Sequence, residues 1–86
     1  MFVYVIEKGT AIGTQCGKIH QIYSSEENAR KEMTRLKYLK AKNNVITEGV
    51  SEFNKTPDVL EGFWYGPEKG NRTADGFLLR RVLLAD

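Results

Sequence analysis

Only one stretch of this 86-residue chain has helical periodicity, and strand-like segments flank it on both sides. Residues 24–44 read SSEENARKEMTRLKYLKAKNN. Ser24 stands as an N-cap with Glu27 three positions on, the spacing of a capping box, and Asn43 or Asn44 can close the helix near Lys42 in the left-handed conformation. At about 100° per residue, Ala29, Met33, Leu36 and Leu39 fall on one apolar stripe, with Lys40 beside it and obliged to snorkel. A helix with one stripe covers one face of a sheet. The other face must meet solvent or a partner, and this limits every fold the chain can adopt.

The remaining apolar segments supply the sheet. FVYVIE (2–7) is rich in β-branched and aromatic residues, and its two sets, Phe2, Tyr4, Ile6 and Val3, Val5, are both apolar. Such a strand is central and covered twice, or it faces a partner. Gly9, Gly13 and Gly17 mark residues 8–18 as a loop or bulged hairpin, leading to a second strand, KIHQIY (18–23), antiparallel to the first. Beyond the helix, a short strand is expected near Val45–Thr47, interrupted at Gly49, and TPD at 56–58 is turn chemistry. VLEGFWYG and GFLLRRVLL then read as two strands joined by PEKGNRTAD, whose nine residues exceed the usual hairpin loop of about two to five. The expectation is an α+β fold: a single antiparallel sheet of four or five strands in the order β-β-α-(β)-β-β, one helix packed across one face, and a single domain over 1–86.

Composition narrows the classes of function. Apolar residues make up 41% and charged residues 28%, an ordinary globular balance, and the formal charge of +2 is too small to imply nucleic acid by itself. The one cysteine, Cys16, cannot form an internal disulfide, which suits a reducing compartment. No apolar run approaches the roughly 20 residues of a membrane span, and MFVYVIEKG lacks the features of a signal peptide. A cytoplasmic protein without a membrane role is expected.

GTQCGK (13–18) raises the question of a phosphate loop. Three residues rather than four separate Gly13 from Gly17, Ile19 follows Lys18 where Ser or Thr belongs, and a strand follows where a helix is needed. Cys16 as a nucleophile would need a base; the only histidine, His20, is four residues on and has no third group marked to orient it. One Cys and one His cannot make a four-ligand zinc site. No carboxylate pair is set apart for acid–base work. The chain reads as a non-enzyme with no cofactor and no metal.

Two features point to binding. The outer helix face carries Arg30, Lys31, Arg35, Lys37 and Lys42 around Tyr38, with no acid expected on the same side; such a face suits a phosphate backbone. The plainer account is a solvated helix rich in good helix formers. The second feature is GFWYGPEKGNRTADG (62–76), in which Phe63, Trp64 and Tyr65 are consecutive, so Trp64 must face away from the other two. Either Trp64 or the Phe63–Tyr65 pair lies outside a core covered by one helix, beside a loop carrying Lys69 and Arg72.

GTQCGKIHQIYSSEENARKEMTRLKYLKAK is similar to the second half of a WGR domain: a Gly-Thr turn, a strand, an FxSxEEA-like helix start and a Lys-rich helix. That resemblance implies DNA contact, although TAIGT stands where Trp-Gly-Arg belongs and one strand stands where the family has several. A broader resemblance covers most of the chain. Opening on MFVYVIE, turning through IYSSEENA and ending in an RRV strand, it resembles the small ββαβ accessory proteins encoded by phages and other mobile elements. This second resemblance implies a protein that docks on a host protein or complex, such as a defence or nucleic-acid-processing complex, and inhibits or modulates it. The docking residues expected are Tyr4, Trp64, Tyr65, Lys69 and Arg72. Two alternatives stand beside this reading: a nucleic-acid binder using the helix cations with Tyr38, and a dimer that sequesters a small anionic, nucleotide-like ligand. A C2 homodimer through the uncovered sheet face is also expected.

Overall fold

β1 (Phe2–Thr10) is the strand around which the sheet is assembled. The computed structural model describes residues 1–10, 18–50, 55–67 and 75–85. After β1 come β2 (Lys18–Tyr23), α1 (Glu26–Ala41), β3 (Val45–Glu48), β4 (Val59–Gly66) and β5 (Asp75–Leu83). The strands form one antiparallel sheet in the order β2-β1-β5-β4-β3, with α1 lying over all five. The architecture is the α+β fold that the patterning predicts.

β1 runs between β2 and β5 and has buried residues on both faces, Ile6 toward the helix and Val5 on the opposite side. Its pairing with β5 runs without interruption from Phe2↔Leu83 to Thr10↔Asp75. The strand therefore continues three residues past the expected end at Glu7. Gly9, which looks like a breaker in the sequence, is opposite Gly76, and two facing glycines leave space above the sheet. Gly49 ends β3 with φ 128°, a conformation that favours glycine, and its amide donates to the Gly62 carbonyl (3.0 Å).

The helix begins one residue later than the capping box suggests. Ser25 is the N-cap, and its hydroxyl accepts from the Asn28 amide (3.3 Å). The third helical position is thus Asn28, which leaves Glu27 outside the reciprocal box. At the other end Lys42 stays right-handed, and the Asn44 side chain donates to the Lys40 carbonyl (2.9 Å), so no left-handed asparagine is needed. Ala29, Met33 and Leu36 are buried, but Leu39 is 40% exposed. Helical geometry explains this: at about 100° per residue Lys40 falls between Met33 and Leu36, whereas Leu39 lies about 60° beyond Leu36. Lys40 lays its stem over the core and sets its ammonium 4.9 Å from the centre of the Tyr65 ring.

The core between helix and sheet joins Ile6, Phe63, Tyr65, Phe77 and Leu79 to the helix stripe, with Tyr4, Tyr23, Ile46 and Leu60 around its margin. The rings of Phe63, Tyr65 and Phe77 lie 5.6–6.2 Å apart. Two bulges tune the sheet. One between Ile6 and Glu7 leaves His20 without a partner on β1, and one between Val59 and Glu61 leaves Leu60 unpaired on β4. The first brings His20 edge-on to Phe77 at 5.5 Å and its Nε2 to 3.2 Å from a Glu32 carboxylate oxygen.

Candidate functional site

Strand register divides the side chains between the two faces. Tyr4, Ile6, Leu79, Phe77, Phe63 and Tyr65 turn to the helix. The opposite face takes Val3 and Val82, which pair; Val5, which pairs with Ile22 and Arg80; Glu7, which pairs with Ile19 and Leu78; and Trp64, which pairs with Thr47 and Gly76. Among the described residues, no helix covers this side. Exposure on it is uneven: Ile19 and Ile22 are 57% and 52% exposed and Val45 is 41% exposed, Val3, Val82 and Trp64 are half-buried, and Val5 and Leu78 at the centre are buried.

This arrangement decides between the expected docking residues. Of the aromatic triplet, Trp64 turns to the uncovered face, and Tyr65, 7% exposed, belongs to the core. Burial, with Asp75 adding to it, raises the Tyr65 phenol above its ordinary pKa, as expected of a buried hydroxyl. Tyr4 is likewise on the helix side, packed at the core margin. Neither tyrosine can serve as an anchor on the uncovered face. Lys69 and Arg72 lie outside the described residues, as does Cys16.

Trp64 is held flat on the sheet. A Cβ on Gly76 would collide with its indole at Cε3, Cζ3 and Cδ2. The glycine thus makes a recess in the sheet surface, and the six-membered ring of Trp64 fills it. The indole is preset rather than free to swing, and holding a large ring in one position in advance lowers the entropy lost on binding.

Among the described residues, the ionic cluster joined to this face is internally matched. Arg80 donates from Nε to Glu7 (2.8 Å) and from Nη1 to Asp58 (2.6 Å) and to the Thr56 hydroxyl (3.3 Å). Burial opposes the charge of Arg80, but Glu7 and Asp58 outweigh it and raise its pKa. Asp58 is held below the ordinary carboxylate range by hydrogen bonds from Thr56 and from Arg80. The sequence gives no local sign of this cluster, because its members come from β1, β5 and the turn before β4.

The helix cations are not the free row expected. Arg30 pairs with Glu26 (2.9 Å) and Glu61 (3.1 Å), Lys31 with Glu27 (3.4 Å), Arg35 with Glu32 through a two-pronged contact of 2.6 Å on each arm, and Lys37 with Glu48. Lys42 rests 5.3 Å from the centre of the Tyr38 ring. Four of the five cations therefore have a carboxylate partner, which removes the feature that favoured a phosphate backbone. A depression of about 660 Å³ beside Glu26, Glu27, Arg30, Lys31 and Thr34 is lined by these same pairs. Among the described residues, no three of His, Cys, Asp or Glu are grouped as metal ligands, and no helix is long and apolar enough to cross a membrane.

Searches against protein-family models, characterised proteins and solved structures find no match to this chain.

Proposed function

We propose that this chain is a small non-catalytic binding protein that docks on another protein through its uncovered sheet face. The observation that carries the proposal is the combination on that face of exposed Ile19 and Ile22 with a pre-positioned Trp64, beside an ionic cluster that already satisfies itself. An apolar area with few unmatched charges and a rigid aromatic anchor suits a protein surface better than a polyanion. In keeping with the phage-type resemblance, the partner is a host factor in the cytoplasm, such as a defence or nucleic-acid-processing complex, which docking inhibits or modulates.

The test is capture of partners from a host lysate, with and without nuclease, by wild-type and variant chains. Capture is expected to survive nuclease and to survive Lys31→Gln with Arg35→Gln. Trp64→Ala, verified as folded, is expected to weaken capture by about 2 kcal/mol or more, as interface anchors do. Capture that is lost with nuclease or with the helix variant, while Trp64→Ala keeps it, would assign the function to nucleic acid instead.

A further inference from the structure

β5 outlasts β4 at the end of the sheet where β1 begins. β4 enters from a turn closed by the Val59 amide on the Thr56 carbonyl (3.1 Å), with Pro57 in its second position. Its pairing with β5 therefore starts only at Val59↔Arg80, with one further bond from the Arg81 amide to the Asp58 carbonyl (2.8 Å). β5 goes on to Leu83. The Leu84 amide donates to the Met1 carbonyl beside it (2.9 Å). By the alternation of an antiparallel ladder, Leu83 then turns its own N–H and C=O the other way, toward the side that β4 does not reach. Among the described residues, no strand pairs with β5 there.

Beside this open length of edge is a depression of about 410 Å³ lined by Phe2, Pro57, Asp58, Arg81, Val82 and Leu83. Phe2 and Leu83 are 41% and 65% exposed. The Arg81 guanidinium lies over the Phe2 ring, 4.5 Å from its centre. Arg30, Arg35 and Arg80 each hold a carboxylate, whereas Arg81 holds none among the described residues. Asp58, the acid in the groove, is already taken up by Arg80 (2.6 Å). A guanidinium stacked on a ring keeps its N–H edge available for a planar, two-pronged contact with a carboxylate.

We propose that this groove takes an extended acidic segment of a partner protein, which adds a short strand to the free end of β5. The backbone of the segment bonds to Leu83, an aspartate or glutamate reaches Arg81, and an apolar side chain packs between Phe2 and Leu83. Arg81 and Leu83 are alternate residues, so both share the Phe2 side of the sheet. The acid and the apolar residue of the segment must alternate in the same way, with one residue between them. Charge selects the class of segment, because the unmatched charge in the groove is positive and its rim is apolar. The distance along β5 from Gly76, on which Trp64 rests, to Val82 is about 20 Å at about 3.3 Å per residue. The inference thus goes beyond the docking reading above and does not depend on it.

Short capped peptides with the core Leu-Thr-Glu or Glu-Thr-Leu, one for each strand direction, test the proposal by amide NMR of the isotope-labelled chain. Titration to about 2 mM covers a dissociation constant in the high-micromolar range. The amides of Phe2, Arg81, Val82 and Leu83 are expected to move with at least one of the two peptides. Replacing the peptide glutamate by glutamine is expected to weaken binding about fivefold. Arg81→Gln is expected to do the same, with no further loss when both changes are combined. Lys42→Gln, which removes an equal charge from the helix, is expected to leave binding unchanged. Arg81 is exposed, so its replacement disturbs the fold little, and the peptide substitution tests the same contact without altering the protein. No movement of those amides at about 2 mM, or equal binding of the glutamate and glutamine peptides, would overturn the proposal. Either result leaves partner capture through Trp64 to its own test.

Discussion

Trp64 and Gly76 act as one unit at the scale of single residues. The ring occupies the space that a Cβ on Gly76 would need, so Gly76→Ala must displace the indole or push the two strands apart. Overpacking of this kind costs about 1–3 kcal/mol. In a Trp64→Leu background the cost is expected to fall well below that, because the obstacle is gone. A double-mutant cycle from chemical denaturation measures the coupling, and additive effects would show that the indole does not rest on the glycine. The pairing is invisible in the sequence: twelve positions separate the two residues, and neither strand alone reveals which residue of β5 opposes Trp64. The sequence does show that Trp64 must turn away from Phe63 and Tyr65; only the register says onto what.

Helix and strand are tied together at element scale by Glu32. Its carboxylate receives both arms of Arg35 and lies within reach of His20 on β2. The hydrogen bonds from Arg35, opposed by burial and aided by His20, hold its pKa below the ordinary glutamate value. A carboxyl whose pKa is lowered by folding adds stability above its unfolded value of about 4.3 and loses it as pH falls through the lower folded value. The thermal midpoint of the wild-type chain is therefore expected to drop on acidification from about pH 5 to about pH 3. Glu32→Gln is expected to start lower and decline less over the same window; parallel profiles would show that Glu32 contributes nothing. The elements themselves are legible from period and composition, and their junctions less so. Two adjacent serines offer two caps one residue apart, and the choice depends on where the strand releases the chain. Glu26, Glu27 and Glu32 can be matched to helix cations by their spacing of three or four residues. Glu48 and Glu61 cannot, because they reach the helix from β3 and β4.

For the whole molecule, strand order decides where damage is felt most. Leu79 is fully buried on β5, with Ile6 on one side and Glu61 on the other, while Ile46 is on the edge strand and only half-buried. Leu79→Ala is expected to cost about 3–4 kcal/mol, toward the upper part of the range for leucine truncation. Ile46→Ala is expected to cost about half as much. Equal losses in urea denaturation would mean that centre and edge contribute alike. Strand order has a further consequence, in time rather than in space. β1 and β5 are neighbours at the middle of the sheet, so during synthesis β1 and β4 wait for the one strand that joins them. A nascent chain that has not yet made Asp75 can hold its helix and two separate hairpins, but it has no centre to its sheet. Closing a separation of about 65 to 80 residues between β1 and β5 is an entropic step that local structure cannot perform in advance. The five-stranded sheet can therefore close only once β5 has emerged to join its two halves.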